Sequence, residues 1–487
     1  MKTVSQKLSV LEKVGYSLGD LAANLIFQTL MTFLAYFYTD VYKIPAATAS
    51  VIIFIGGFFG AFFNIIMGAI ADRTSTRWGK FRPWILWTSI PFGIISLLAF
   101  STPNFSETGK VAYALITYFL LIIVYSANNL PYSALSGVIT GDMKERNSLS
   151  SYRFVAVMVA QFIIQSLLLP LALSLGHGDK AVGFEKVMFF FAITGVVCFI
   201  ITFLTTKERI VPAQEEKSSV KTDLADLSKN IPWIIMLLLT IFVFITLALK
   251  GGMYIYYFKY YLNESAQINF LENIGFNHFI EGLNKAVTGM GLGEFQWPKD
   301  AATSANSLFN AGGIIFMIIG IMFSKPLADK FGNRTIFGLF LFFSALSLLM
   351  FNFYAPDAIS AVFITQMAHG FLYGITIPLL WAMIADVADY SEWKNNRRAT
   401  AIIFSAMIFG LKIGLSIGGA LGAALLAKYG YVAELAQQSA NTIDGIRMSV
   451  SIYPGLIFII GAGILYWYKI DKKMELLIES DLNERRK

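Results

Sequence analysis

Long apolar stretches alternate with short polar ones along the whole chain. Each stretch is close to the roughly 20 residues that a helix needs to cross the hydrocarbon core of a bilayer. Because the stretches are continuous and show no alternation of period two, they predict membrane-spanning helices and not the strands of a β-barrel. We predict twelve spans, at residues 14–40, 46–71, 82–101, 111–138, 150–175, 186–206, 232–262, 304–327, 335–354, 358–386, 399–428 and 446–470.

The composition leads to the same fold class. Of the 487 residues, 56% are hydrophobic and 14% are charged, whereas about 25% are charged in a typical soluble domain. A soluble chain could not bury so much apolar surface even as several domains, so the sequence indicates an all-α integral membrane protein. It carries one cysteine, Cys198, and three scattered histidines. We therefore expect no disulfide framework, no metal site and no cofactor other than a coupling ion.

Lysine and arginine residues predict the orientation. They are concentrated in the N-terminal segment, in every second loop after it and in the C-terminal tail. By the positive-inside rule we expect both termini in the cytoplasm. The chain is then expected to lie in the inner (plasma) membrane of the cell. The formal net charge of +7 is spread over many short loops, which argues against nucleic-acid binding and for contact with the lipid surface.

A polar stretch divides the chain into two halves with six spans each. We predict an N-terminal six-helix bundle at residues 1–206, a cytoplasmic loop at 207–231 and a C-terminal bundle with a cytoplasmic tail at 232–487. Such a duplication is typical of transporters whose two halves move around a central site. The outer loop at residues 263–303 is unusually long; it forms either a short amphipathic helix or lid, or an idle excursion on the surface.

Charged residues recur at corresponding inner helix ends of the two halves. They either pair across the halves and latch an inner gate, or only cap helices and set the topology. These candidate gate residues are Asp72, Arg73, Asp142, Arg146, Asp329, Asp386, Asp389 and Arg397.

The chain contains five short motifs: GYSLGD at residues 15–20, YTD at 38–40, RWGKFRPW at 77–84, NLPY at 129–132 and ADVADY at 385–390. Together they resemble the glycoside–pentoside–hexuronide:cation symporter family of the major facilitator superfamily. The resemblance extends from Gly15 to about Lys473. It implies the major facilitator fold and import of a sugar, glycoside or hexuronide by alternating access, coupled to Na⁺ or H⁺.

Polar side chains inside the spans are candidates for the substrate site, because they are costly in a membrane unless they have a function. The resemblance implies that the Asn of span one, the residue before Leu-Pro in span four, the Arg of span five and the Lys of span eleven contact sugar. Trp381 could stack on a pyranose ring. The candidates are Asn24, Gln28, Tyr125, Asn128, Asn129, Arg153, Trp381 and Lys412. The alternative is that they form inter-helix hydrogen bonds or ordinary packing.

The positions of the family's cation site differ in this chain. The family uses two carboxylates in span two, and Gly60 and Asn64 occupy those places here, with Ser126 of span four as a further candidate. Hard cations prefer anionic oxygen ligands, so the sequence does not support sodium binding of the family type.

The missing carboxylates leave Arg153 and Lys412 with few acidic partners inside the membrane, and Asp20 is the one obvious candidate. Three outcomes are open. Lys412 could serve as a built-in cation in an uncoupled facilitator, it could exchange a proton, or the substrate could supply the counter-charge. We favour the third outcome, which predicts a uronide. His369 is a weaker candidate for a proton carrier, since a buried histidine is more often packed and hydrogen-bonded.

Three rival functions differ from sugar transport. A carrier of lipids or other amphiphiles would need an apolar cavity, which the cluster of amides and cations disfavours. A membrane enzyme would need paired carboxylates, a histidine cluster or a nucleophile with its base at membrane depth, and none is evident in the sequence. A transport-derived sensor would usually add a soluble domain. We expect a monomer that binds a small-molecule substrate.

Overall fold

The computed structural model describes residues 7–140, 143–209, 229–290, 297–395, 400–433 and 435–485. Within these ranges the chain is helical, and its one β-bridge joins Thr76 to Gly79. The α-helices are α1 (Val10–Tyr36), α2 (Ala46–Arg73), α3 (Arg82–Ala99), α4 (Glu107–Ile139), α5 (Met143–Phe162), α6 (Leu168–Leu175), α7 (Lys180–Thr205), α8 (Ile231–Tyr256), α9 (Glu264–Asn273), α10 (Phe276–Gly289), α11 (Ala301–Phe331), α12 (Asn333–Met350), α13 (Ile359–Asn395), α14 (Thr400–Lys428), α15 (Ala440–Val450), α16 (Ile452–Ile464) and α17 (Lys472–Arg485).

Twelve helical segments in the described part of the chain are long and apolar enough to cross a membrane. The prediction of an all-α protein with twelve spans is therefore confirmed. Several helices continue past the predicted ends: α13 runs to Asn395, whereas the predicted span stops at residue 386. Hydropathy locates only the apolar part of a helix, but the backbone hydrogen bonds of a helix form equally well beyond the bilayer.

Three spans contain a π-helical turn, at Phe37–Val41, Ile163–Leu167 and Tyr257–Tyr261. A π turn inserts one residue into the helical repeat and is frequent at functional positions. The turn at Ile163–Leu167 connects α5 to α6, and it carries Gln165, which takes part in the candidate site described below.

The chain divides into two compact units, each containing six spans. The first comprises Met1–Gln214 with Glu272–Ser307, and the second comprises Glu215–Leu271 with Leu308–Lys487. The predicted limits assigned all of residues 263–303 to the C-terminal bundle, whereas most of that loop groups with the first unit.

The long loop contains two short helices, α9 and α10. Trp297 stabilises the end of this segment, since its backbone N–H donates to Asn284 Oδ1 at 3.2 Å and its indole Nε1 donates to Ser304 Oγ at 2.8 Å. A short helix was one of the two alternatives predicted here. On α10, Phe279 is 65% exposed.

Glycines of the GYSLGD motif allow helices of the first unit to approach closely. A Cβ atom at Gly15 would overlap Thr205 of α7, and one at Gly19 would overlap the ring of Tyr132 of α4. Thr202 Oγ1 also donates to Gly15 O at 2.8 Å. Small residues at helix contacts are the usual basis of close packing in membranes, so these two glycines act in packing.

Candidate substrate site

An ion pair between α1 and α5 lies in the first unit. Arg153 Nε donates to Asp20 Oδ2, and Arg153 Nη2 lies 3.5 Å from Asp20 Oδ1. The side chain of Asp20 is 6% exposed and that of Arg153 is 26% exposed. The sequence offered Asp20 as the one obvious acidic partner inside the membrane, and Arg153 pairs with it. The charge of Arg153 therefore gives no reason to expect an anionic substrate.

Two tyrosines flank this ion pair. Tyr16 and Tyr132 stack with ring centres 4.7 Å apart, and each hydroxyl donates to the other residue's backbone carbonyl, at 2.9 and 2.7 Å. The guanidinium carbon of Arg153 lies 5.5 Å from the Tyr16 ring and 5.3 Å from the Tyr132 ring. Sequence reasoning missed both tyrosines, although they lie within the GYSLGD and NLPY motifs.

Amide and aromatic side chains continue the same face of α1. Asn24 is half-buried, and its Nδ2 donates to the backbone carbonyl of Asp20 at 2.9 Å. One turn later, Gln28 accepts a long hydrogen bond of 3.5 Å from Gln165 of the π turn. The ring of Tyr125 on α4 stacks on Phe27 with ring centres 5.9 Å apart. Three predicted residues therefore lie on α1 or against it: Asn24, Gln28 and Tyr125.

The two asparagines of span four lie in different environments. Asn128 is fully buried, and its Nδ2 donates to Thr88 Oγ1 of α3 at 2.8 Å. This is the inter-helix hydrogen bond that the alternative interpretation predicts. Asn129 is half-buried, and its side chain makes no hydrogen bond to any residue in the described ranges. Consecutive residues of a helix point about 100° apart, so the two side chains face different neighbours. The amide of Asn128 is buried in helix packing, and the amide of Asn129 is left available to a ligand.

The positions that correspond to the family's cation site carry no carboxylate, and their role stays a prediction. A Cβ atom at Gly60 would lie 2.6 Å from Ile122 Cγ2, so the packing leaves no space for a carboxylate there. Asn64 Oδ1 and Ser126 Oγ are buried and have no hydrogen-bond partner within the described ranges. They are neutral oxygens, whereas hard cations prefer anionic ligands.

Two predicted substrate residues belong to the second unit. Trp381 lies on α13, three residues after Pro378, and it is 39% exposed. Lys412 is half-buried on α14. Their roles stay predictions.

The predicted gate residues have varied surroundings. The side chains of Asp72, Asp142, Arg146 and Arg397 lie outside the described residues. Arg73 and Asp329 are exposed, Asp389 is half-buried, and Asp386 accepts a hydrogen bond of 3.0 Å from Asn333. The latch between the halves stays a prediction.

A carboxylate that the sequence analysis missed is bound by the RWGKFRPW motif. Glu208, just after span six, accepts hydrogen bonds from the backbone N–H groups of Lys80, Phe81 and Arg82 at 2.9, 2.8 and 2.9 Å. Arg82 begins α3, and the N-terminus of a helix favours an anion. Gly79 has a φ of +113°, and a Cβ atom there would overlap the carboxylate. The motif thus ties the end of span six to the start of span three.

Two further ion pairs hold the same end of the first unit. Arg209 binds both carboxylate oxygens of Glu12, at 2.7 and 2.9 Å. This hydrogen bonding raises the pKa of Arg209 above its usual range. Lys13 Nζ lies 2.9 Å from Glu145 Oε2. These contacts connect the start of α1 to α5 and to the segment after α7.

Comparison with known proteins identifies the family. Residues 15–282 and 300–472 match the family model described as MFS/sugar transport protein. The chain belongs to this family. Within it, the chain is 36% identical to the inner membrane symporter YicJ of Escherichia coli (strain K12), over 95% of this chain and 92% of that protein. It is 31% identical to the isoprimeverose transporter of Lactiplantibacillus pentosus, over 97% and 91% of the two chains.

A solved structure supports the fold. A bacterial homologue of the human lysosomal transporter Spinster superposes with a TM-score of 0.63 at 14% identity, covering 96% of this chain and 99% of that one. The resemblance to the glycoside–pentoside–hexuronide symporters of the major facilitator superfamily is therefore confirmed. This MFS sugar-transport protein is a multi-pass inner-membrane transporter of a small molecule and not an enzyme.

Proposed function

We propose that this transporter imports a neutral sugar or glycoside by alternating access. The observation that carries the proposal is the Asp20–Arg153 pair beside the amides of α1. Because the protein neutralises Arg153, the polar groups left for a ligand in the first unit are mainly uncharged amides. The relative named as an isoprimeverose transporter supports a glycoside substrate.

Amide side chains suit sugar hydroxyl groups, because each amide offers both donors and an acceptor. Asn24 has used one side-chain N–H on the backbone of Asp20, and the side-chain amide of Asn129 has no hydrogen-bond partner among the described residues. The stacked rings of Phe27 and Tyr125 could cover the apolar face of a pyranose. Each protein–sugar hydrogen bond is worth about 0.5–1.5 kcal/mol.

A hexuronide is the second candidate substrate. It is favoured by Lys412, a half-buried lysine of span eleven, whose ammonium group would attract a uronate carboxylate. Arg153 no longer supports this candidate, since Asp20 pairs with it.

The orientation is part of the proposal. The concentration of lysine and arginine on alternate loops supports cytoplasmic termini, and import then moves the sugar from the side of residues 263–303 toward the side of the 207–231 loop. The expected monomer also belongs to the proposal.

Counterflow in proteoliposomes tests the proposed function. Vesicles loaded with an unlabelled neutral glycoside should take up the labelled glycoside through the wild-type protein. Asn24→Ala and Asn129→Ala should each weaken the apparent affinity about tenfold, the effect of losing about 1.4 kcal/mol. The control is Asn104→Ala, which changes an exposed asparagine between spans three and four. The proposal is wrong if no sugar shows counterflow, or if both variants match the control.

A further inference from the structure

A lysine and a histidine contact each other inside the second unit. Lys250 of α8 is 8% exposed and His369 of α13 is 1% exposed. Lys250 Nζ lies 2.8 Å from His369 Nε2. Two basic groups in hydrogen-bond contact cannot both carry a charge cheaply, so they titrate as one coupled site.

The hydrogen bonds of His369 determine its tautomer. Its Nδ1 lies 3.2 Å from Ser344 O and 2.9 Å from Ser347 Oγ. The hydroxyl of Ser347 already donates to Ser344 O at 2.7 Å, so both neighbours of Nδ1 act as acceptors. Nδ1 therefore carries the hydrogen, and Nε2 accepts a hydrogen bond from Lys250. The imidazole is neutral and serves as a fixed acceptor for the lysine amine.

The surroundings of Lys250 make its proton costly to hold. No carboxylate of the described residues lies within ion-pair distance of Nζ. The titratable groups that face it, besides His369, are Tyr254 on its own helix and Tyr373 on α13, with ring centres 5.7 and 6.0 Å away. Lys412 on α14 and Arg447 on α15 are further basic residues on helices that pack against α8, and Arg447 Nη2 lies 3.0 Å from Asp444 Oδ1. A buried ammonium without a carboxylate is expensive, so the proton is held only by one hydrogen bond and two aromatic faces.

The pair lies deep within the two membrane-spanning helices that carry it. Lys250 is about 11 residues from the end of its span at Tyr261, and His369 is about 10 residues from the start of α13. At about 1.5 Å per residue, each lies roughly 15 Å along its helix from those ends, in spans that cross a hydrocarbon core of about 30 Å. The two ends lie on the same side, since Asn263 N donates to Pro356 O at 2.8 Å.

We propose that Lys250 and His369 form the binding site of the coupling proton, in place of the missing carboxylates of span two. The inference rests on the proposed sugar transport. On the side of residues 263–303, the neutral amine of Lys250 takes up one proton and becomes an ammonium that donates to His369 Nε2. On the opposite side the ammonium releases that proton, and the hydrogen bond to His369 persists in both states.

Comparison of counterflow with uphill transport tests the site, because counterflow needs no net proton movement. Wild-type protein in proteoliposomes should accumulate the glycoside when an inward pH gradient is imposed. Lys250→Met and His369→Asn should retain counterflow and lose accumulation. Lys250→Arg keeps the charge and the donor but does not release its proton, so it should lose accumulation too. The control is Lys259→Met, an exposed lysine of the same span, which should retain both activities.

The outcomes separate the two proposals. If the wild-type protein shows no counterflow of any sugar, the proposed function is wrong. If it shows counterflow but accumulates sugar only with a sodium gradient, the proton site is wrong. Accumulation driven by the pH gradient in Lys250→Arg and His369→Asn would also overturn it. If every variant of the pair loses both counterflow and accumulation, the pair has a structural role, and the proposal is equally overturned.

Discussion

Replacing Asp20 by asparagine removes the carboxylate that neutralises Arg153. The variant Asp20→Asn keeps the shape of the side chain but leaves the guanidinium without its anionic partner. The two residues join α1 to α5, so the loss should be felt in the stability of the first unit.

The expected magnitude follows from burial. Breaking a buried ion pair by removing one partner costs about 3–5 kcal/mol. Arg153 is 26% exposed, and the faces of Tyr16 and Tyr132 retain roughly 0.5–2 kcal/mol of attraction for its charge. We therefore expect a loss near the lower limit, about 3 kcal/mol. For a domain of about 200 residues this lowers Tm by roughly 6–12 °C.

A double-mutant cycle measures the coupling by thermal unfolding of the purified protein. Asp20→Asn, Arg153→Gln and the double variant are compared with wild type. The double variant should lose less than the sum of the single variants, with a coupling energy of about 1–3 kcal/mol. The control is Glu107→Gln, which breaks an ion pair to Lys110 in which the Glu107 side chain is 76% exposed. Such exposed pairs are worth about 0–1 kcal/mol.

The reasoning is refuted if Asp20→Asn lowers Tm no more than Glu107→Gln does. It is refuted equally if the losses of Asp20→Asn and Arg153→Gln are additive, because independent effects would mean that the two charges do not stabilise each other.

Three further predictions concern close packing and a titrating carboxyl. Gly60→Ala should cost about 1–3 kcal/mol through the clash with Ile122, whereas Gly137→Ala, with open space around its Cβ position, should be neutral or stabilising in unfolding experiments. Gly79→Ala should lower Tm more than Gly137→Ala does, because φ is +113° and the methyl group would overlap the carboxylate of Glu208; equal Tm values would contradict the motif's binding of that carboxylate. Burial and the neighbouring Asp386 raise the pKa of Glu475 to about 7, so binding of α17 to α13 should weaken as pH rises from about 4.5 to about 7. Hydrogen exchange of α17 should show this dependence, and Glu475→Gln should abolish it.

The sequence predicts the membrane spans well because the bilayer imposes a length on each apolar segment. It predicts helix ends less well, as α13 shows, because nothing in hydropathy marks where a helix stops in water. The carboxylate of Glu208 shows a second limit. Its partners are backbone N–H groups about 126–128 residues away along the chain. A pattern of side chains does not predict a contact with backbone groups so distant in the sequence.

The candidate site shows which binding residues can be predicted from residue types alone. The sequence identifies the polar residues of spans one, four and five, because polar groups in a membrane are costly. It does not distinguish Asn128, which bonds to Thr88, from its neighbour Asn129, because the distinction depends on which helix packs on each face. The same holds for Arg153, whose pairing with Asp20 requires the geometry of two helices.

Competition between a neutral glycoside and its matching uronide measures the central claim most directly. Both sugars share ring and hydroxyl groups and differ in one carboxylate, so their relative inhibition of glycoside counterflow reports the charge that the site accepts. We predict that the neutral glycoside competes better, with the preference reduced in Asn129→Ala. Stronger competition by the uronide would contradict the account and would favour a substrate that carries a carboxylate.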